Sequence, residues 1–313
     1  MDRILGIDAV AGIMIINMIL GHFGSKPEWA PLDYLCIFMP WFFFKSGMFY
    51  KKKGLRDVAM GGAKKLCYPF ITFSIVGWCV HSIFMYIQHE HNFVHYFATP
   101  IKELLMCGSI QGNLALWFLL SLYFVNILYT FCINKKVNKH VILIFCVIIA
   151  CILYEAGIIY PYYLANTILG LAFYCAGNMY AKKQYEVKYG IVSLIVSLII
   201  FSCCYSNISF RNNELTSGYY LLACLFAVTG CISINFVFLK IPYNFVLLSW
   251  IGRNSMILYV THWIMIYVYN IIVTLCNYQP TNKALEQTFA YIILSPIIVY
   301  IFKKTRFKYL INF

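Results

Sequence analysis

A chain of 313 residues that is 62% hydrophobic and 11% charged, with a mean hydropathy of +0.75, is not a water-soluble domain. Such domains are about half apolar and a quarter charged. The formal net charge of +13 does not point to nucleic acid, because the cations cluster between apolar segments. The 13 cysteines lie mostly inside those segments, with no paired C-x-x-C spacing and no His-rich partner pattern. They read as small apolar packing residues, neither a disulfide framework nor a zinc site.

In chain order, the hydropathy pattern predicts ten membrane spans: 4–23, 31–50, 66–88, 113–133, 141–160, 163–181, 188–206, 217–239, 255–276 and 288–302. Each is about the length that crosses a bilayer's hydrocarbon core. The expected fold class is therefore an all-α polytopic membrane protein, about ten helices in one bundle, with residues 1–313 forming a single integral-membrane domain. The first segment lacks a basic n-region and a small-residue cleavage site, so it is expected to be a retained helix and not a signal peptide. An even span count puts both termini on one side.

The basic residues choose that side. Ends and loops on the N-terminal side carry 19 of the 24 Lys and Arg: Arg3, Lys51–Lys53, Arg56, Lys64, Lys65, Lys135, Lys136, Lys139, Lys182, Lys183, Lys188, Lys240, Arg253, Lys303, Lys304, Arg306 and Lys308. The opposite side has only Lys26, Lys102, Arg211 and Lys283, and Lys45 lies within a span. By the positive-inside rule both termini are cytoplasmic, which predicts a multi-pass protein of the cell (inner or plasma) membrane. The loop holding His89, His91 and His95 then falls outside. Its His-x-His spacing suits a metal, but scattered histidines in a wet loop are commoner, and no metal is expected.

Ionisable groups inside the spans are costly in lipid, so their default reading is functional. Asp8 and His22 lie on the first span about 21 Å apart along its axis. Lys45, on the second, shares the depth of Asp8. Two readings of Lys45 stand: an ion pair with Asp8, or snorkelling to the cytoplasmic headgroups. Glu155, in the outer part of span five, can face outside water. Trp117, at the outer end of span four, suits an aromatic belt. His262 lies roughly 13 Å beyond Arg253, inside the bilayer.

Taken in order, Asp8…Gly21-His22, Pro40-Trp-Phe-Phe-Phe-Lys-Ser-Gly47, Lys64-Lys65-Leu-Cys-Tyr-Pro69, Leu116-Trp-Phe-Leu119 and Ile251-Gly-Arg-Asn-Ser…Tyr259-Val-Thr-His262 resemble the acyltransferase-3 family of membrane acyltransferases. The likeness is strongest to its branch of fucose 4-O-acetylase-like sugar O-acetyltransferases. The resemblance implies a helix bundle that moves an acyl group, usually acetyl from acetyl-CoA, onto a hydroxyl of a surface polysaccharide or lipid-linked sugar. Acetyl-CoA is then a donor substrate, no cofactor stays bound, and membrane lipid is a further partner. The histidine taken to be catalytic in the family falls on His22, and Asp8, which opens the same motif, is the second catalytic candidate. The family often has Arg or Lys eleven positions earlier, where this chain has Ala11; Lys45 is a candidate for the lost charge.

The residue chemistry agrees with that implication. Acyl transfer to a hydroxyl needs a base with a pKa near 7, which is histidine's range. It also needs a donor to the developing oxyanion, for which Asn17, Ser46 and the Trp117 indole are candidates. Arg56, Lys64 and Lys65, with Lys51–Lys53, can meet the donor's phosphates, although topology alone also explains that basic loop. His22 lies near the outer surface while acetyl-CoA is cytoplasmic. A cavity crossing the bundle, a relay through His262 or a shifted first span would each reconcile the two. The competing function is a proton-coupled transporter or flippase of a lipid-linked or small polar substrate, against which the chain shows no half-chain repeat. A structural scaffold explains none of the intramembrane charges.

The charge split makes the orientation testable. On a cysteine-free background, a membrane-impermeant thiol reagent should label a single cysteine near His91 or Arg211 in intact cells. Cysteines near Lys52, Lys136 and Lys183 should react only once the membrane is opened. Labelling beside Lys52 in intact cells would reverse the orientation.

Overall fold

The computed structural model describes residues 4–90, 92, 94–241 and 245–305. Arg3, His91, Arg306 and Lys308, and the side chain of His95, lie outside the described residues.

The chain is almost entirely helical, as its composition predicts. Its helices are α1 (Leu5–Phe23), α2 (Ala30–Tyr34), α3 (Phe38–Met48), α4 (Leu55–Gly62), α5 (Tyr68–Ile87), α6 (Thr99–Cys107), α7 (Trp117–Asn134), α8 (Lys139–Glu155), α9 (Tyr162–Tyr180), α10 (Val187–Cys203), α11 (Tyr220–Lys240), α12 (Val246–Arg253), α13 (Ser255–Leu275) and α14 (Lys283–Lys304). Each predicted span falls on one helix or on a pair in series. Among the described residues, six stretches are long and apolar enough to cross a membrane: Leu5–Phe23, Leu55–Ile87, Leu114–Asn134, Tyr220–Lys240, Ser255–Leu275 and Lys283–Lys304. With the shorter apolar helices they make an all-α polytopic membrane protein. Many large apolar side chains remain exposed on the outside of the bundle, among them Ile144, Ile195 and Ile293, as a lipid-facing surface requires.

The departures from prediction have local causes. Span three begins at Leu55, eleven residues early, because α4 is amphipathic: Arg56 and Asp57 lower the hydropathy of a segment that continues through a π-helical turn, Ala63–Cys67, into α5. Helix α6 lies in the loop after α5, and the short α12 precedes α13; neither has the length to register as a span. Span five stops at Glu155 because Gly157 takes a left-handed conformation (φ 66°) that ends the helix. Between α10 and α11 a hairpin forms, pairing β1 (Asn207–Ser209) with β2 (Glu214–Ser217).

Two helix pairs touch backbone to backbone. A β-carbon on Gly47 of α3 would overlap the Tyr174 carbonyl of α9, and one on Gly177 would overlap the Phe44 carbonyl. Likewise one on Gly12 of α1 would overlap the Leu248 carbonyl of α12, and one on Gly252 the Asp8 carbonyl. Small residues are how membrane helices gain close contact when apolar burial gives no advantage over lipid. Between these pairs, Trp41 donates its indole N–H to Asn235 Oδ1 at 2.9 Å and so ties α3 to α11 within the core.

Gly47→Val should therefore destabilise the protein by at least about 1–3 kcal/mol, the usual cost of overpacking. Gly61→Ala, where an added β-carbon meets nothing within 4 Å, should leave it unchanged. Thermal unfolding of both variants in detergent compares them; equal melting would mean that α3 and α9 do not approach this closely.

Candidate active site

His22 occupies the last turn of α1, which Gly24 closes in a left-handed conformation (φ 70°). Its imidazole is exposed at that open helix end, and an added β-carbon on neighbouring Gly21 would meet nothing within 4 Å. The other side of the ring faces α13. The His22 centroid lies 5.3 Å from that of His262 and 5.4 Å from that of Trp263. His262 is fully buried, 0% exposed. One ring is thus reachable from water while its neighbour is sealed within protein.

The tautomer of His262 follows from its partner. Nδ1 lies 2.6 Å from the Tyr259 carbonyl oxygen, which can only accept. Nδ1 therefore carries the hydrogen, and in the neutral ring Nε2 holds the lone pair. That nitrogen is buried and has no hydrogen-bond partner, and the same is true of the Trp263 indole N–H. Buried polar atoms normally have partners. Here a base and a donor, both without one, flank His22.

The turn before α7 locks this part of α13 in place. Asn113, wholly buried, donates from Nδ2 to the Val260 carbonyl at 2.8 Å. The Tyr259 hydroxyl donates to the Ala115 carbonyl, and the Phe118 ring meets Tyr259 edge-on at 5.8 Å. From the other side, the Tyr291 hydroxyl on α14 donates to the Leu258 carbonyl at 2.9 Å. The Asn113–Leu119 motif thus holds the helix that carries His262.

A cavity of about 700 Å³ opens among the basic side chains Lys51, Lys53 and Lys65 and runs inward past Lys45, Ser46 and Phe42 to Phe118 and Tyr259. Its inner end is one helical turn from His262. The π-helical turn Ala63–Cys67 lies where Lys65 joins the wall; such turns recur at functional sites. Lys64 and Arg56 are exposed outside that wall.

The residues proposed from sequence separate into groups. His22 and His262 come together. Lys45 and Ser46 line the cavity; the Lys45 ammonium lies 5.3 Å from the Trp41 ring centroid, and the Ser46 hydroxyl donates to the Phe42 carbonyl at 2.9 Å. The Asp8 carbonyl lies against Gly252 of α12, and the buried Asp8 Oδ2 has no hydrogen-bond partner. Asn17 spends its amide hydrogens on the Leu32 and Leu35 carbonyls, at 3.3 and 3.0 Å. Trp117 is buried, stacked on Phe210 at 6.3 Å. Glu155 is exposed at the end of α8.

Two residues escaped the sequence reading. Trp263 adjoins His262 in the chain, and neighbours on a helix point about 100° apart, so adjacency gave no reason to place both on His22. Arg211, on the turn of the hairpin, reads only as one of four cations on the less basic side. In the folded chain it donates to Ser109 and follows Phe210, whose ring stacks on Trp117.

The sequence matches the family model described as Acyltransferase domain over residues 4–304. No curated protein and no solved structure matches the chain. Since the match runs over nearly its whole length, and the ordered motifs around His22 and His262 converge on one place, the chain belongs to the acyltransferase-3 family of membrane acyltransferases.

Proposed function

We propose that this acyltransferase moves an acetyl group from acetyl-CoA to a hydroxyl of a cell-surface or lipid-linked carbohydrate. The observation that carries the reading is the pair of approaches to one histidine cluster. The basic-mouthed cavity leads to Tyr259 from one face, and His22 is exposed at the other. With the cavity mouth cytoplasmic, as the charge distribution favours, the donor enters from the cytoplasm and the acceptor from outside. The cavity's volume lies within the usual range for ligand sites.

In the reaction the acceptor hydroxyl attacks the thioester carbonyl as His22 takes its proton. The acyl–sulfur bond breaks, and the thiolate leaves as CoA once it receives that proton. The Trp263 indole N–H, buried and without a partner on a ring against His22, is the donor for the oxyanion that forms on the carbonyl. His262, between the inner end of the cavity and His22, presents the Nε2 lone pair to carry the proton inward. Lys51, Lys53 and Lys65 hold the donor's phosphates at the mouth, and Lys45 extends the positive wall into the cavity.

Transfer of radiolabel from acetyl-CoA by the purified protein tests the reading directly; mass spectrometry of surface glycans with and without the gene identifies the product. His22→Ala should lower kcat by 10²–10⁴, the usual worth of a general base, and leave acetyl-CoA binding in place. Retention of a tenth of wild-type kcat would remove His22 from that role. Trp263→Phe keeps a ring against His22 and removes the N–H, so it should lower kcat with little change in either KM.

The donor site has its own test. Lys65→Ala should raise the KM for acetyl-CoA several-fold with kcat nearly unchanged, and Lys64→Ala should do less. The reverse ranking would move the phosphates away from the cavity mouth.

A further inference from the structure

Arg211 is built into the face opposite the cavity mouth with more donors than partners. Its hairpin turn is pinned by Asn166, which donates from Nδ2 to the Arg211 carbonyl at 3.0 Å and accepts from Ser121 Oγ. The guanidinium lies against the Tyr162 ring, 5.6 Å from its centroid. Nη2 donates to Ser109 Oγ at 3.1 Å, and Nε is buried without a hydrogen-bond partner. A guanidinium has five N–H donors, a fork shaped for a carboxylate or a phosphate.

No carboxylate among the described residues forms an ion pair with Arg211. Glu103 is the acidic group in its field, but both Glu103 oxygens are taken by Gln111, at 3.0 Å from the backbone N–H and 2.9 Å from the side chain. Of the other cations on this face, Lys26 is paired with Asp33 at 2.9 Å. Holding a charge half-buried with its donors unmatched is costly unless an anion completes it. Arg211 follows Phe210, whose ring stacks on Trp117, and its partner Ser109 leads into the Asn113 turn that holds the His262 end of α13, so a completing anion would stand on the side of the bundle where His22 is exposed.

We propose that Arg211 binds an anionic group of the acceptor, so that the hydroxyl presented to His22 belongs to a sugar carrying a carboxylate or a phosphate. The proposal rests on His22 being the transfer site and adds the charge of the substrate that reaches it. Arg211 thus selects the acceptor and leaves the donor alone. Its fixed fork on Tyr162 and Ser109 sets the distance at which the sugar ring stands.

The full chain, purified in detergent, can be titrated with glucose, glucuronate and glucose 6-phosphate while tryptophan fluorescence is followed, since Trp263 lies against His22. Glucuronate or glucose 6-phosphate should bind at least tenfold more tightly than glucose. The stronger of the two assigns the anion as carboxylate or phosphate. Arg211→Gln should bring all three within about twofold, and Arg211→Lys, which keeps the charge but not the fork, should fall between. Acetyl-CoA binding to each variant should equal that of the wild type and shows that the bundle is intact. Equal wild-type affinity for the neutral and both anionic sugars would overturn the proposal, as would a preference that survives Arg211→Gln. A charge preference without any acetyl transfer would overturn the transfer reading and keep Arg211 as an anion site. Transfer without a charge preference would do the opposite.

Discussion

Helices α1 and α12 meet backbone to backbone at two glycines, and that contact fixes where His22 comes to rest. Gly12 lies under the Leu248 carbonyl and Gly252 against the Asp8 carbonyl, with the Gly12 amide also beside Gly252. Helix α13 then leaves α12 at Asn254, whose amide N–H and Nδ2 both return to α12, the latter bonded to the Trp250 carbonyl at 2.7 Å. His22 is ten residues beyond Gly12, and His262 is ten beyond Gly252. At about 1.5 Å per residue His22 stands roughly 15 Å from Gly12 along α1, and His262 roughly 10 Å from Ser255 along α13. The two imidazoles meet because their helices start from one glycine contact.

Much of this was legible in the chain and some was not. Hydropathy located the long apolar helices because lipid imposes a length and an apolar surface on a spanning segment. The ordered motifs located the histidines. Hydropathy missed α4, α6 and α12, which are short or amphipathic and have no lipid-length signal. Charge alone left Lys45 open between an ion pair with Asp8 and snorkelling, since the two look identical in sequence. The structure adds that Lys45 lines the cavity. Ala11 is fully buried in the α1 packing. The sequence also offered Asn17 and Trp117 as donors on equal terms with any other polar group. Only the fold shows that Asn17 is already bonded and that Trp263 is not. Arg211 was the least legible, because its place depends on a hairpin that brings residues 109, 162 and 211 together.

Family membership makes the chain an acyltransferase, and the proposed transfer from one face to the other sets a problem that the bundle answers with aromatic side chains. A path joining a donor on one face to an acceptor on the other would, left open, conduct ions and water. Between the cavity and His22 stand Phe118, Tyr259 and His262, all buried. The Tyr259 hydroxyl is bonded to the Ala115 carbonyl and the His262 Nδ1 to the Tyr259 carbonyl. The layer is therefore held by hydrogen bonds that span α13 and the turn before α7, and it does not rest on loose apolar contact alone.

Such a layer also decides which groups can do chemistry. A buried polar atom costs free energy unless it is bonded, so a fold retains an unbonded one only where the rest of the structure holds it there. Among the described residues, His262 Nε2 and Trp263 Nε1 belong to this class, and both lie on the two rings that flank His22. Asn113 Oδ1 is another, on the side chain that pins Val260. Satisfied hydrogen bonds set the frame, from Asn113 to Val260 and from Tyr291 to Leu258. Others lie elsewhere in the bundle, but His262 Nε2 and Trp263 Nε1 stand inside that frame, beside the exposed imidazole. The cost of burying them is carried by the surrounding bundle, and what it leaves in return is one base and one hydrogen-bond donor with nothing to bind until a substrate arrives.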